Sequence, residues 1–155
     1  MNLEKFNKLS EFEQRVAIAQ DVIARIESKK VSQKRGSYLV YKSAGKPLSQ
    51  IYQMSAQKFL KENKCYVCAK GALVMSWVAQ FNHYKFGQIY DSPCIREIEQ
   101  IFSQSMRNAM ECAFEGWVNH ILGLNFKNRK MSLKSVMKNI VKNKGYFKVQ
   151  GQVFF

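Results

Sequence analysis

Hydrophobic residues recur along most of this chain at three- and four-residue steps, the period of helices that bury one face. Ser10-Glu11-Phe12-Glu13 opens the first run as a capping box, in which the Ser10 hydroxyl accepts from an early main-chain N–H and Glu13 reaches back to Ser10. Phe12, Val16, Ala19, Val22, Ile23 and Ile26 then share one face, which predicts a helix fading near Glu27-Ser28. Residues 29 to 36 read as a basic connector ending at Gly36, and Tyr38-Leu39-Val40-Tyr41 as a strand. Ser43-Ala44-Gly45-Lys46-Pro47 reads as a loop, and a short helix runs from the N-cap candidate Ser55 to Glu62. Residues 63 to 68 break the pattern. Beyond them Ala69, Leu73, Val74, Trp77, Val78 and Phe81 form a stripe, widened by Ala72, Met75 and Ala79. This predicts a central helix over about 68–84, buried on most sides. Gly71 inside it costs up to ~1 kcal/mol against alanine, which points to a close crossing or a kink.

Asp91-Ser92-Pro93 opens the next helix, with Ile95, Ile98, Ile101 and Phe102 on its apolar face. Ser103 or Ser105 divides it from a further run, Met106, Ala109, Met110, Ala113, Phe114, Trp117, Val118 and Ile121, which Gly123 closes. Ser132 caps the last helix. Its buried stripe is Leu133, Val136, Met137, Ile140 and Val141; Lys134, Lys138 and Lys142 stand opposite, and Gly145 ends it. Residues 146 to 150 and 153 to 155 alternate weakly, as a small terminal strand that is the candidate partner for residues 38 to 41. The expected fold is therefore mainly α, a compact helical domain of about five helices around the central one, with a minor short-strand element.

Length and composition agree with this picture. The 155 residues suit one globular domain spanning 1–155, and 46% hydrophobic and 13% aromatic residues exclude a disordered chain. No segment reaches ~18 apolar residues without a charge, so no membrane helix is expected. Met1-Asn2-Leu3-Glu4-Lys5 lacks the apolar core of a secretory signal, which gives a cytoplasmic expectation. Four cysteines fit that compartment as free thiols.

Charge changes the picture most. The net charge is +14, and it is regional: residues 28 to 61 and 116 to 155 contain no Asp or Glu, yet each holds eight of the 25 basic residues. Lys134, Lys138 and Lys142 line one helix face, with Lys127, Arg129 and Lys130 ahead of them. Lys29, Lys30, Lys34 and Arg35 form a second cluster beside Tyr38 and Tyr41. Cations spaced along a surface neutralise phosphates, and adjacent aromatics stack on bases. These ten residues are the candidate anion-binding set. The alternative is a solvated face that only keeps the protein soluble. Lysine outweighs arginine, so contact with nucleic acid would be led by the backbone and weakly sequence-specific.

Other motifs point less firmly to chemistry. Cys65-x-x-Cys68 precedes a helix, whose N-terminus lowers a thiol pKa. A redox role wants a βαβ frame that is not there, and zinc wants two more ligands. Cys94, Cys112, His83 and His120 show no finger or ribbon spacing. Packing at the start of the central helix is the preferred reading, with Cys65 and Cys68 as weak metal candidates. His83 and His120 have no legible catalytic partner. Glu111 and Glu115 lie one helical step apart, fit to hold a metal or to bond Arg107 or a lysine from the basic blocks, the latter preferred. No glycine-rich phosphate loop occurs, and no cofactor is expected.

Four segments carry a resemblance. They are Val16-Ala17-Ile18-Ala19-Gln20-Asp21-Val22-Ile23 followed by Gly36-Ser37-Tyr38; Cys65-x-Val67-Cys68-Ala69-x-Gly71-Ala72-Leu73; Ala113-Phe114-Glu115; and Val136-Met137-x-Asn139-Ile140-Val141-x-Asn143-x-Gly145-x-Phe147. In this order they resemble a group of small proteins, without an assigned activity, carried by phages and other bacterial mobile elements. The resemblance implies a phage-type accessory protein working in a bacterial host cell and brings no catalytic residues with it.

Together these features lead to a stoichiometric binder. It would inhibit a host defence, in the manner of an anti-CRISPR protein, through a cationic surface on nucleic acid or on an acidic nucleoprotein effector. One alternative is a metal-assisted hydrolase or nuclease using Glu111, Glu115, His83 or His120. Another is a homo-oligomeric scaffold joined through Val153-Phe154-Phe155.

Overall fold

The computed structural model describes residues 2–42, 45–81, 84–90 and 92–155. In chain order the elements are α1 (Leu3–Asn7), α2 (Glu11–Glu27), β1 (Val31–Gln33), β2 (Leu39–Tyr41), α3 (Leu48–Gln53), α4 (Ala56–Glu62), β3 (Cys65–Val67) and α5 (Ala69–Phe81). After a 3-10 turn at Phe86–Tyr90 come α6 (Ser92–Ile101), α7 (Gln104–Glu115), β4 (Val118–Asn119), β5 (Leu124–Asn125), α8 (Leu133–Lys142), β6 (Phe147–Val149) and β7 (Gln152–Phe154). The fold is mainly α with short strands, as expected. The expected loop residues Ser43 and Ala44, and Asp91 ahead of α6, lie outside the described residues.

Serines start four of the described helices. Ser10 closes the capping box of α2, accepting from the Glu13 N–H at 3.4 Å while the Glu13 carboxylate accepts the Ser10 N–H at 2.8 Å. Ser55, Ser103 and Ser132 cap α4, α7 and α8. Helix α5 is the core: Ala69, Ala72, Leu73, Met75, Val78 and their neighbours are buried, between α2, α4, α6 and α7. α8 lies along α2, burying Leu133, Val136, Met137 and Ile140.

The strands correct the sequence reading. Residues 65 to 67, where the pattern broke, form the central strand of a sheet ordered β1-β3-β2. β1, inside the basic connector, runs parallel to β3 with Val31 opposite Cys65, and β2 runs antiparallel with Leu39 opposite Val67. The C-terminal strands β6 and β7 pair only with each other, Phe147 opposite Phe154, and not with residues 39 to 41. Three-residue strands carry too few side chains for period-2 patterning to show. The sequence reading also passed over α1 and α3, bringing the described α-helices to eight.

A second correction concerns the helix expected to run to Gly123. α7 stops at Glu115 because Gly116 turns left-handed, φ 84°, and its N–H donates to the Cys112 carbonyl. Trp117, Val118 and Ile121 therefore leave the core and stand exposed on a hairpin. Gly71, by contrast, makes the close crossing its position suggested: a Cβ there would lie 1.7 Å from the Tyr38 carbonyl oxygen.

Candidate functional site

The C-terminus of α2 places the first cations. The Lys29 N–H donates to the Ile26 carbonyl at 3.1 Å and the Lys30 N–H to the Arg25 carbonyl at 2.9 Å, a Schellman-type closure. Lys29 occupies its left-handed position, φ 60°, where glycine is usual. β1 then runs beside the start of α8. The Leu133 N–H donates to Gln33 Oε1 at 3.0 Å. Arg35 donates from Nε to the Phe114 carbonyl at 2.7 Å and from Nη2 to the Met131 carbonyl at 3.3 Å, its guanidinium 5.0 Å from the Phe114 ring centre. The two acid-free blocks thus meet where residues 33 and 35 reach residues 131 and 133.

Between them lies a groove of 430 Å³. Ile26, Val31 and Leu133 give it an apolar floor, Ser32 and Gln33 add polar atoms, and Lys29, Lys64 and Lys134 stand around it. Lys134 Nζ sits 2.7 Å from Glu27 Oε1. That hydrogen bond and charge, with a smaller contribution from Lys138, hold the Glu27 carboxyl below its ordinary range. Among the described residues no other member of the ten-residue set forms an ion pair. Lys30, Lys34, Lys138 and Lys142 are exposed.

Three assignments change. Lys134 was expected to be free and exposed, but it is half-buried and paired. Arg35 is spent on main-chain carbonyls and fastens the two blocks to each other. Lys127, Arg129 and Lys130 lie outside the groove, after the β4–β5 hairpin, where Arg129 shares a 320 Å³ cleft with Asn125, Asn128 and Gln150. Sequence reasoning missed Lys64, which stands 5.5 Å from the Tyr66 ring centre. Its signal was a lysine and a tyrosine flanking Cys65, hidden because the strand is so short. Glu27 was missed because an acid at the end of a helix looks unremarkable without its partner.

The other candidates hold structural contacts. Glu111 pairs with Lys70 at 2.5 Å, not with Arg107 or a lysine of the basic blocks, and Arg107 pairs with Glu99 at 2.9 Å. Glu115 is buried and takes the Gly36 N–H on both oxygens at 3.1 Å. His120 is exposed in the hairpin turn; His83 lies outside the described residues. Cys65, Cys68, Cys94 and Cys112 are all buried, and none is in a disulfide. Burial pushes the Cys65 thiol up to about 11 and raises Cys68, so desolvation overrides the lowering expected from the helix N-terminus. Among the described residues no three His, Cys, Asp or Glu side chains gather as a metal site. No described helix is long and apolar enough to cross a membrane. Comparison with protein-family models, with curated proteins and with solved structures gives no match.

Proposed function

We propose that this protein is a stoichiometric nucleic-acid binder of a phage-type mobile element, acting against a host defence by occupying the nucleic acid of its nucleoprotein effector. The observation that carries the binding is the groove, where Lys29, Lys64 and Lys134 surround a floor of Ile26, Val31 and Leu133. Point charges of this kind neutralise phosphates without reading bases, and an apolar floor receives a sugar or the face of a base. Lys138 and Lys142 extend the charge along α8. Glu27 beside the groove holds Lys134, so Lys29 and Lys64 are the lining cations that form no ion pair among the described residues. The mobile-element part of the reading is supported by the four resembling segments.

The test is a fluorescence-anisotropy titration with an oligonucleotide at rising salt. With about five phosphates neutralised, affinity should fall roughly 100- to 500-fold between about 50 and 200 mM salt. The double variant Lys138→Glu, Lys142→Glu should bind far more weakly with an unchanged melting curve. An affinity flat across that salt range would refute the charge-led mode.

A further inference from the structure

The residues that periodicity assigned to the core and the fold left outside form a second feature. Gly116 ends α7 and sends the chain into the β4–β5 hairpin, with Val118 opposite Asn125 and the Phe126 N–H donating to the Trp117 carbonyl at 3.0 Å. Leu124 and Phe126 root the hairpin in the core. Trp117, by contrast, is 52% exposed and Ile121, in the turn, 96%. One hairpin thus exposes a tryptophan at its base and an isoleucine in its turn, both available to a ligand. The lysine stem of Lys130 lies against Gly116, next to Trp117, and Lys127 and Arg129 follow at once. No Asp or Glu occurs anywhere from residue 116 onward.

The geometry points to this hairpin as a base-stacking finger for single-stranded nucleic acid: Trp117 and Ile121 take the faces of unpaired bases, while Lys127, Arg129 and Lys130 take the flanking phosphates. The inference rests on the nucleic-acid reading above and adds the strand type. Charge complementarity selects the occupant. A ligand for this surface must offer both flat apolar faces and regularly spaced anions, and unpaired nucleotides supply both. Duplex DNA hides its base faces in the stack. The amide of Asn128 beside Arg129, in their shared cleft, suits base edges and phosphates. An anionic bilayer offers the same charge, but interfacial anchoring calls for a broad apolar face, and this hairpin presents only a few exposed apolar side chains.

The chain carries its own reporter. Trp77 is buried with its Nε1–H donated to Glu97, so Trp117 is the tryptophan that a ligand at the surface can reach. A thymidine oligonucleotide of about 12 nucleotides should quench its fluorescence, and a duplex of equal length should do so much less. Trp117→Ala should weaken single-strand binding roughly tenfold or more and leave heparin, a polyanion without bases, bound as before. Ile121→Ser, at a site wholly in solvent, should act in the same direction with an unchanged circular dichroism spectrum. Single-strand binding without quenching, or unaffected by Trp117→Ala, would overturn the finger and leave the groove standing. Absence of any nucleic-acid binding at low salt would overturn both. Stronger quenching by phosphatidylserine vesicles than by the oligonucleotide, or a dimer in light scattering that Trp117→Ala dissociates, would also overturn it.

Discussion

Alanine at position 71 should destabilise this protein, against what helix propensity alone would say. Gly71 is the third residue of α5, and in an ordinary helix alanine there would gain up to about 1 kcal/mol. Here the added Cβ would lie 1.7 Å from the Tyr38 carbonyl oxygen and 2.7 Å from its carbon. Those are main-chain atoms and cannot swing aside as a side chain would. The Ser37 carbonyl next to them accepts the Cys68 N–H at 2.9 Å, and Leu39 is already paired with Val67 in the sheet. Relieving the overlap means moving that segment off α5. Overpacking of this kind costs about 1–3 kcal/mol, and a lost main-chain hydrogen bond adds about 1. After the propensity gain, a net loss of about 2 kcal/mol remains, worth roughly 4–8 °C in Tm for a chain of this size. Urea unfolding followed by far-ultraviolet circular dichroism should show a lower midpoint at an unchanged slope. A Gly71→Ala protein as stable as the parent, or more so, would refute the close-approach argument.

The left-handed conformation of Lys29 separates stability from binding: Lys29→Gly relieves roughly 1–2 kcal/mol of backbone cost, of which glycine's freedom in the unfolded chain returns about 0.4–1. Its melting temperature should therefore hold or rise while oligonucleotide affinity falls; a drop in both would show that Lys29 is structural. Glu27→Gln should free Lys134, tightening binding and steepening the salt dependence by about 0.7–0.9 in log–log slope, and weaker binding would mean that Glu27 positions Lys134 productively. The Glu27 carboxyl is held below its ordinary 4.5, so its ion pair persists above that value and is lost as pH falls through the lower, folded one. Affinity for a thymidine oligonucleotide should accordingly rise more steeply as pH drops below 4.5 in the parent than in Glu27→Gln. With Cys65 pushed up to about 11 and all four thiols buried, a disulfide reagent at about pH 8 should label none of them until denaturant is added; native labelling within seconds would contradict the packing at β3.

Helix starts and charge blocks were legible because both are local. A serine, its neighbours three residues on and the apolar face that follows are settled within a turn or two of chain, so Ser10, Ser55, Ser103 and Ser132 all cap helices. The absence of acids beyond Glu115 is likewise written in one stretch. Three features were not legible. β3 sits at the centre of its sheet through partners supplied by residues 31 to 33 and 39 to 41, far away in the chain. The groove exists because Arg35 and Gln33 reach residues 79 to 100 positions distant, at Phe114, Met131 and Leu133. Helical spacing of Trp117, Val118 and Ile121 with the preceding run also gave no warning that one glycine in the left-handed region would expel them from the core. The chain by itself determined which segments coil and which carry charge. Which charges share a groove, and which apolar side chains face water, was decided by long-range main-chain pairing, because those contacts depend on where distant segments meet and leave no periodicity in the sequence.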